Sequence, residues 1–272
     1  METDILTIQA LTKSFSRKIM NSDGGEDDEQ YWIIKDLFLN VPRGKVIALI
    51  GGNGAGKTTL FNIISGFVKP DSGSIIFKGN GNEHELLHLK PHIIAQKGIG
   101  RMFQDNHIFG EMSVLDNMLI ANSLNSSENP VSALLFKKRL KRDEVKRTEK
   151  TAQIFDTFFG KESPFWEKRY VPAGTLSYGQ QRLLGLARLF MREYQLLLLD
   201  EPSSGVNPEV IEQIKVLIRR FTEQNQTVLL IEHNLDVVQD IADFCCYMDQ
   251  GRITLMGTPA DVIGNEDVRK SY

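Results

Sequence analysis

The segment GGNGAGKTT, residues 51–59, constrains this chain more than any other; it stands between an apolar run, KVIALI, and a segment of helical texture, LFNIISG. Such a run, with no polar alternation, reads as a strand buried on both faces. A buried strand that passes straight into a helix across glycines belongs to a parallel α/β layer, with the helix N-terminus at the carboxyl end of the strand. Gly51, Gly56, Lys57 and Thr58 fall in the spacing G-x-x-x-x-G-K-[ST]. The glycines let the backbone curl so that several N–H groups face one point, and the helix N-terminus adds its positive dipole end. Lys57 then contributes a point charge for β- and γ-phosphates, and Thr58 a hydroxyl for Mg²⁺. Gly51, Asn53, Gly54, Ala55, Gly56, Lys57, Thr58 and Thr59 are the expected nucleotide-binding set.

Alternation of strands and helices returns after residue 178. A helix (QQRLLGLARLFMRE) leads to the strand QLLLLD; a helix with Val210, Ile214, Leu217, Ile218 and Phe221 on one face leads to TVLLIE; a third (NLDVVQDIAD) precedes FCCYMD and GRITLMG. Apolar strands separated by amphipathic helices predict a parallel sheet. The opening stretch differs: LTIQALTKSF, YWIIKDLFLNV and SIIFKG read as strands, with turns at 42–44 and 70–73. Between the first two lies the acidic NSDGGEDDEQ, residues 21–30, expected as a solvated hairpin tip. Residues 105–175 turn helical. Val145, Thr148, Ala152, Phe155 and Phe159 recur at spacings of three and four and predict a helix whose core face they form. The run FKKRLKRDEVKRTEK reads as a solvated helix face, with no aromatic interleaved to stack a base.

At 272 residues, 41% hydrophobic and 25% charged, the chain has the make-up of a globular protein with one large domain or a core carrying a smaller subdomain. A net charge of −3 supplies no global basic field, so no nucleic-acid partner is expected. Cys245 and Cys246 are neighbours in an apolar stretch and are expected to be inert core thiols in a reducing compartment. METDILTIQA carries neither the basic nor the apolar region of a signal peptide, and the apolar runs stop far short of the ~20 residues that span a bilayer. No unaided membrane crossing is expected.

QLLLLDE ends an apolar strand in two carboxylates, where an open α/β sheet presents ligand-site residues. Asp200 suits holding Mg²⁺ through its water shell, and Glu201 suits polarising an attacking water. Alone, such a pair is more readily a solvated turn; the phosphate loop upstream reverses that preference. In LSYGQ, Ser177 and Gln180 form an S-x-x-Q capping box for the helix that follows.

LSYGQ, residues 176–180, also resembles the LSGGQ signature of ATP-binding-cassette (ABC) ATPases, and further motifs follow in that family's order. Gln104 in RMFQ matches the Q-loop, SSGVN at 203–207 the D-loop, and His233 in LLIEH the switch histidine. The resemblance spans nearly the whole chain. It implies a P-loop NTPase (RecA-like) α/β core with an antiparallel β subdomain, residues 1–103 and 178–272, and an inserted helical subdomain, residues 104–177. It further implies ATP and Mg²⁺ as ligands, with Thr58, Gln104 and Asp200 at the metal and Glu201, His233 and Gln104 in catalysis. Ser177, Tyr178, Gly179 and Gln180 would reach ATP held by a second subunit, in a head-to-tail homodimer or a pair with a paralogue. Phe15 matches the aromatic that stacks adenine, unless it packs inward; Tyr31 and Trp32 are weaker stacking candidates. Two residues depart from the family pattern. Gly52 stands where many members have proline, which loosens the free loop by roughly 0.4–1 kcal/mol. Asn207 stands where the D-loop often has aspartate, which puts charge-dependent communication between the two sites in doubt.

Within the family, GIGRMFQDNHIFGEMSVLDNMLIA, AGTLSYGQQRLLGLARL, DEPSSGVNP, VLLIEHNLDVV and GTPADVIGNEDVRKSY are similar to the ATP-binding subunits of branched-chain amino acid importers. Lipopolysaccharide-export ATPases share the ending and are the nearest alternative. A soluble ABC ATPase that drives an assembly complex is a further one, while a P-loop metabolite kinase would leave LSYGQ and His233 unused. The importer resemblance implies two integral membrane permease subunits that dock near residues 101–120, an external solute-binding protein, and a cytoplasmic, peripheral position on the inner face of the membrane.

Overall fold

The computed structural model describes residues 4–20, 26–105, 107–121, 145–146, 148–155 and 164–271. By Cα proximity the chain forms two compact units. The first comprises residues 1–101, 194–204 and 218–272, and the second comprises 102–193 and 205–217. The helical part expected at 104–177 therefore begins two residues earlier in contact terms and continues through the signature helix Tyr178–Leu189.

The first unit holds two sheets. An antiparallel sheet has the order β2-β1-β4-β5, formed by β1 (Asp4–Met20), β2 (Glu26–Pro42), β4 (Ser72–Gly79) and β5 (Asn82–Glu85). A six-stranded sheet has the order β10-β9-β3-β8-β7-β6, with β3 (Val46–Ile50), β6 (Ile99–Met102), β7 (Leu196–Asp200), β8 (Thr227–Ile231), β9 (Phe244–Asp249) and β10 (Arg252–Gly257). β3 runs parallel to β8 and β9, β7 runs parallel to β8, and β10 closes the edge antiparallel to β9.

Every residue of β3, β7 and β8 is buried, which explains their unbroken apolar sequences. Successive side chains point to opposite faces. Ile47 and Leu49 join Phe61, Phe77, Leu198 and Leu229 in one core; Ala48 and Ile50 join Val238, Tyr247, Val262 and Val268 in another. The adjacent cysteines divide the same way, Cys246 into the first core and Cys245 into the second. Each such side chain withdrawn from water contributes on the order of 1.5–3 kcal/mol before chain entropy is set against it. The second core is closed by α7 (Leu235–Ile241), α8 (Pro259–Gly264) and α9 (Glu266–Lys270). The remaining helices of this unit are α1 (Lys57–Ile64) and α2 (Pro91–Lys97).

The acidic stretch departs from the expected hairpin tip. Glu26–Gln30 belong to β2 and pair with β1, Met20 opposite Glu26, Lys18 opposite Asp28 and Arg17 opposite Glu29. Opposite charges facing across the strands stabilise such pairs, so a composition that reads as loop is held as strand. Residues 21–25 lie outside the described residues.

Among the described residues the second unit holds α3 (Val114–Ala121), helical residues within 145–155, α4 (Pro164–Glu167), α5 (Tyr178–Leu189) and the first part of α6 (Pro208–Glu223). The face expected from Val145, Thr148, Ala152, Phe155 and Phe159 is corrected. Val145 and Thr148 are exposed, whereas Thr151, Ile154 and Phe155 are buried. The buried stripe is offset toward Thr151, whose Oγ1 lies 4.0 Å from Met191 Sδ, while Phe155 sits edge-on to Trp166 at 5.7 Å. Phe159 lies outside the described residues. α6 follows its expected stripe, with Ile214, Leu217, Ile218 and Phe221 buried and Val210 half-buried. Among the described residues no helix is long and apolar enough to cross a membrane.

Cys245 and Cys246 are free, fully buried thiols, and burial pushes both up to about 12. At pH 8 a thiol of that kind is ionised in about one molecule in 10⁴. Disulfide-exchange reagents are expected to leave both untouched in native protein and to titrate both in urea; rapid native labelling would contradict this burial.

Candidate nucleotide site

Parallel strands end at one level. Leu49 of β3 and Asp200 of β7 both pair with Ile231 of β8, so the chain leaves the sheet there as three adjacent loops beginning near Gly51, Glu201 and Glu232. Within the first unit these loops line an open cleft. Its walls include Asn53, Gly54, Ala55, Gly56, Lys57, Thr58, Thr59, Glu201 and His233, and also Ile33 of β2.

Two glycines of the loop cannot be replaced without collision. Gly51 has φ +149, and a Cβ there would stand 2.1 Å from the Met248 carbonyl oxygen. Gly56 has φ +106, with the Ile33 carbonyl oxygen 2.8 Å from its would-be Cβ. Gly56 is also the N-cap of α1, and no side chain caps that helix, which leaves its first-turn N–H groups to the loop. The Lys57 ammonium is buried and donates to the carbonyls of Gly51 at 2.6 Å and Gly52 at 2.9 Å. Burial lowers its pKa, and the charges of Glu201 and Asp200 oppose that shift. The loop is thus braced by its own lysine. Gly52, the departure from proline, has no positive φ and open space beside its Cα.

Asp200 is 1% exposed. Its Oδ2 lies 3.4 Å from the Arg101 guanidinium, which also donates to Ser65 Oγ at 2.5 Å. Burial holds the Asp200 carboxyl above its ordinary range against the pull of Arg101. Its Oδ1 is buried with no hydrogen-bond partner among the described residues. An orphaned carboxylate oxygen costs about 1–3 kcal/mol or more, and a hydrated cation satisfies it directly. Glu201 takes the left-handed conformation, φ 48, uncommon for a residue with a side chain and costing on the order of 1–3 kcal/mol. This bend brings Glu201 Oε1 to 3.1 Å from His233 Nε2. Both side chains stay partly open to the cleft.

The remaining candidates lie elsewhere. Phe15, in β1, is 37% exposed, packs tilted against Tyr31 with ring centroids 6.2 Å apart, and carries Lys13 Nζ 5.0 Å from its ring centre. It is an outward-facing ring, not an inward-packed one; Trp32 is exposed too. Gln104 is exposed in the loop after β6 and belongs to the second unit. There Ser177 caps α5 in a complete capping box: Gln180 N–H donates to Ser177 Oγ at 3.3 Å, and Ser177 N–H donates to Gln180 Oε1 at 3.2 Å. Ser177 and Tyr178 are exposed, Gly179 and Gln180 half-buried. Gly179 packs so close to Val210 that a Cβ would meet its methyl at 2.9 Å. The buried Arg182 donates to Tyr178 Oη at 3.0 Å and to the Phe103 carbonyl at 3.2 Å. Asn207 Oδ1 accepts from Val210 N–H at 2.9 Å, a neutral helix-start bond that the expected aspartate would also make.

Sequence reasoning missed Ile33, Arg101, Arg182 and Glu232. An arginine and a glutamate inside otherwise apolar strand flanks were the available signals, since such groups are seldom buried unless partnered.

Three strand-end loops that gather a lysine-braced glycine turn, an acid pair and a histidine belong to the ATP-binding cassettes of the P-loop NTPase class. The sequence profile described as ABC transporter matches residues 34–204, and the chain belongs to that family. It is an ATP-binding subunit similar to those of branched-chain amino acid transport. The high-affinity branched-chain amino acid transport ATP-binding protein BraF of Pseudomonas aeruginosa is 38% identical over 240 residues, 88% of this chain and 91% of that one. LivG of Escherichia coli, with the same description, is 34% identical at the same coverage. Among solved structures, a nucleotide-free ATP-binding cassette from an ABC transporter superposes with a TM-score of 0.76 at 27% identity, covering 99% of each chain. The ADP conformation of an ABC-transporter cassette gives the same TM-score and identity, covering 99% of this chain and 98% of that one. The expected fold class is the observed one.

Adjacent glycines should respond with opposite signs. Gly51→Ala is expected to lower the unfolding free energy by about 2–4 kcal/mol, and Gly52→Ala to raise it by about 0.4–1 kcal/mol. Urea denaturation of the two variants measures both; equal effects would contradict the loop geometry.

Proposed function

We propose that this chain hydrolyses ATP as the motor subunit of an importer of branched-chain amino acid type. The observation that carries the proposal is Glu201 held 3.1 Å from His233 across a cleft walled by the Lys57 loop. Lys57 and the first-turn N–H groups of α1 bind and orient the phosphates. Glu201 takes the proton of the attacking water, and His233 holds the Glu201 carboxylate in place while contacting the γ-phosphate. Thr58, Gln104 and Asp200 would hold Mg²⁺, for which the buried, unpartnered Asp200 Oδ1 is suited. That ion, when bound, supplies positive charge to the β- and γ-phosphate oxygens. Phe15, already an exposed ring beside Lys13, would stack adenine.

The cleft is open on one side, and the missing donors are carried by the same chain. The Ser177 oxygen accepts one backbone N–H through a lone pair, so its O–H remains to donate. With the Gly179 amide and the N-terminus of α5, it would complete the γ-phosphate shell of a second copy, or of a paralogue, in a head-to-tail dimer. ATP then joins the two subunits and hydrolysis releases them. Two membrane permease subunits, docked near residues 101–120, would convert that cycle into transport from an external solute-binding protein, with this chain peripheral on the cytoplasmic face. The similarity to BraF and LivG supports the importer reading over export.

Glu201→Gln is expected to keep ATP binding, to lower turnover by about 10²–10³, and to accumulate a dimer in ATP that light scattering detects. Wild-type turnover in this variant would overturn the assignment of the base. Lys57→Ala is expected to weaken ATP binding by roughly 10–100-fold, the worth of charged hydrogen bonds of about 1.5–3 kcal/mol; unchanged affinity in calorimetry would contradict the cradle.

A further inference from the structure

Glu232 is the first residue beyond β8, is 1% exposed, and meets backbone donors on both of its oxygens. Oε1 accepts from Ser203 N–H at 2.9 Å. Oε2 accepts from His233 N–H at 3.1 Å and from Asn234 N–H at 3.4 Å. One carboxylate therefore ties the loop that follows Glu201 to the loop that presents His233. The ties flank the reacting pair: Ser203 is two residues beyond Glu201, and His233 carries the nitrogen that meets Glu201. Further pins converge on the same two loops. Glu201 N–H donates to Ile231 O at 2.9 Å, Ser204 N–H donates to Glu201 O at 3.2 Å, and Asn234 caps α7 through Asp236 and Val237.

A buried carboxylate is retained against its desolvation only where hydrogen bonds to its charged form compensate. Here burial raises the Glu232 pKa, and the Ser203, Asn234 and His233 bonds pull it down. A neutral apolar residue would have filled the space without that conflict. The polar group provides geometry instead: the left-handed backbone at Glu201 persists only where surrounding contacts over-determine it, and the Ser203 clamp is one of those contacts.

We propose that Glu232 is a positioning residue for hydrolysis, setting the Glu201–His233 distance by holding the two loops in register without touching nucleotide. The proposal rests on the reading of Glu201 and His233 as the hydrolytic pair. Glu232→Gln tests it, because an amide keeps one acceptor and turns a donor toward the other loop, breaking one clamp at nearly constant volume. In the full chain, kcat is expected to fall about tenfold or more while ATP affinity changes less than about threefold. Since Glu232 acts by setting the Glu201–His233 distance, the Glu232→Gln/His233→Ala double variant is expected to lose less than the product of the two single losses. Thermal melting checks that each variant is folded, and Glu232→Asp, which keeps both acceptors on a shorter arm, is expected to recover part of the rate. Unchanged kcat in folded Glu232→Gln, or losses that multiply in the double variant, would overturn the positioning role. Wild-type turnover in both Glu201→Gln and His233→Ala would instead sink the underlying reading of the pair, which keeps the two failures apart.

Discussion

The parallel register of β3, β8 and β7 is the constraint on which the site depends. Because Leu49 and Asp200 share Ile231 as partner, a braced lysine loop, an acid pair and a histidine leave the sheet side by side. Side chains alternate with period two, so a slip of one residue in β8 would turn Glu232 and His233 to the wrong faces and bury a different set in each core. The two cores prevent that slip. Leu229 and Ile231 face one of them, under the antiparallel sheet and α1, and polar residues appear only where the strand runs out. Packing at the middle of the sheet thereby sets the placement of charge at its edge.

That edge holds opposing electrostatic demands close together. Lys57 and Arg101 are pushed down by burial, Asp200 and Glu232 pushed up, and each is pulled back by neighbours of opposite sign or by backbone N–H groups. Asp200 shows the balance most clearly, with one oxygen on Arg101 and the other buried without a partner among the described residues. The exposed Ser177 end of α5 is the counterpart: a capped helix start whose hydroxyl still has a proton to give.

Much of this was legible because it is local. The glycine loop, the capping box, the acid pair and the double-sided burial of KVIALI, QLLLLD and TVLLIE are consequences of residues within a few positions of one another. The parts that were not legible join distant positions. Arg101 meets Asp200 across 99 residues, Glu232 meets Ser203 across 29, and Ile33 reaches the cleft from a strand of the other sheet. No spacing rule announces which backbone N–H a buried carboxylate will meet. The tip of the β1–β2 hairpin was read too long for a related reason: Glu26–Gln30 read as loop by composition, while they pair with β1 opposite Arg17 and Lys18. In the helix at 148–155 the face was read one position off, since Thr151 packs toward Met191 and Ile154 is buried while Thr148 is exposed.

The central claim is that an open cleft on one copy is completed by Ser177 and Gly179 of another. Its most direct test is the ATPase rate per chain measured as the full-length protein is diluted. The rate is expected to fall with concentration toward zero at high dilution and to saturate when the protein is concentrated, as a site shared by two copies requires. A rate per chain that stays constant across the whole range would mean that a single copy hydrolyses ATP unaided, and would contradict the account.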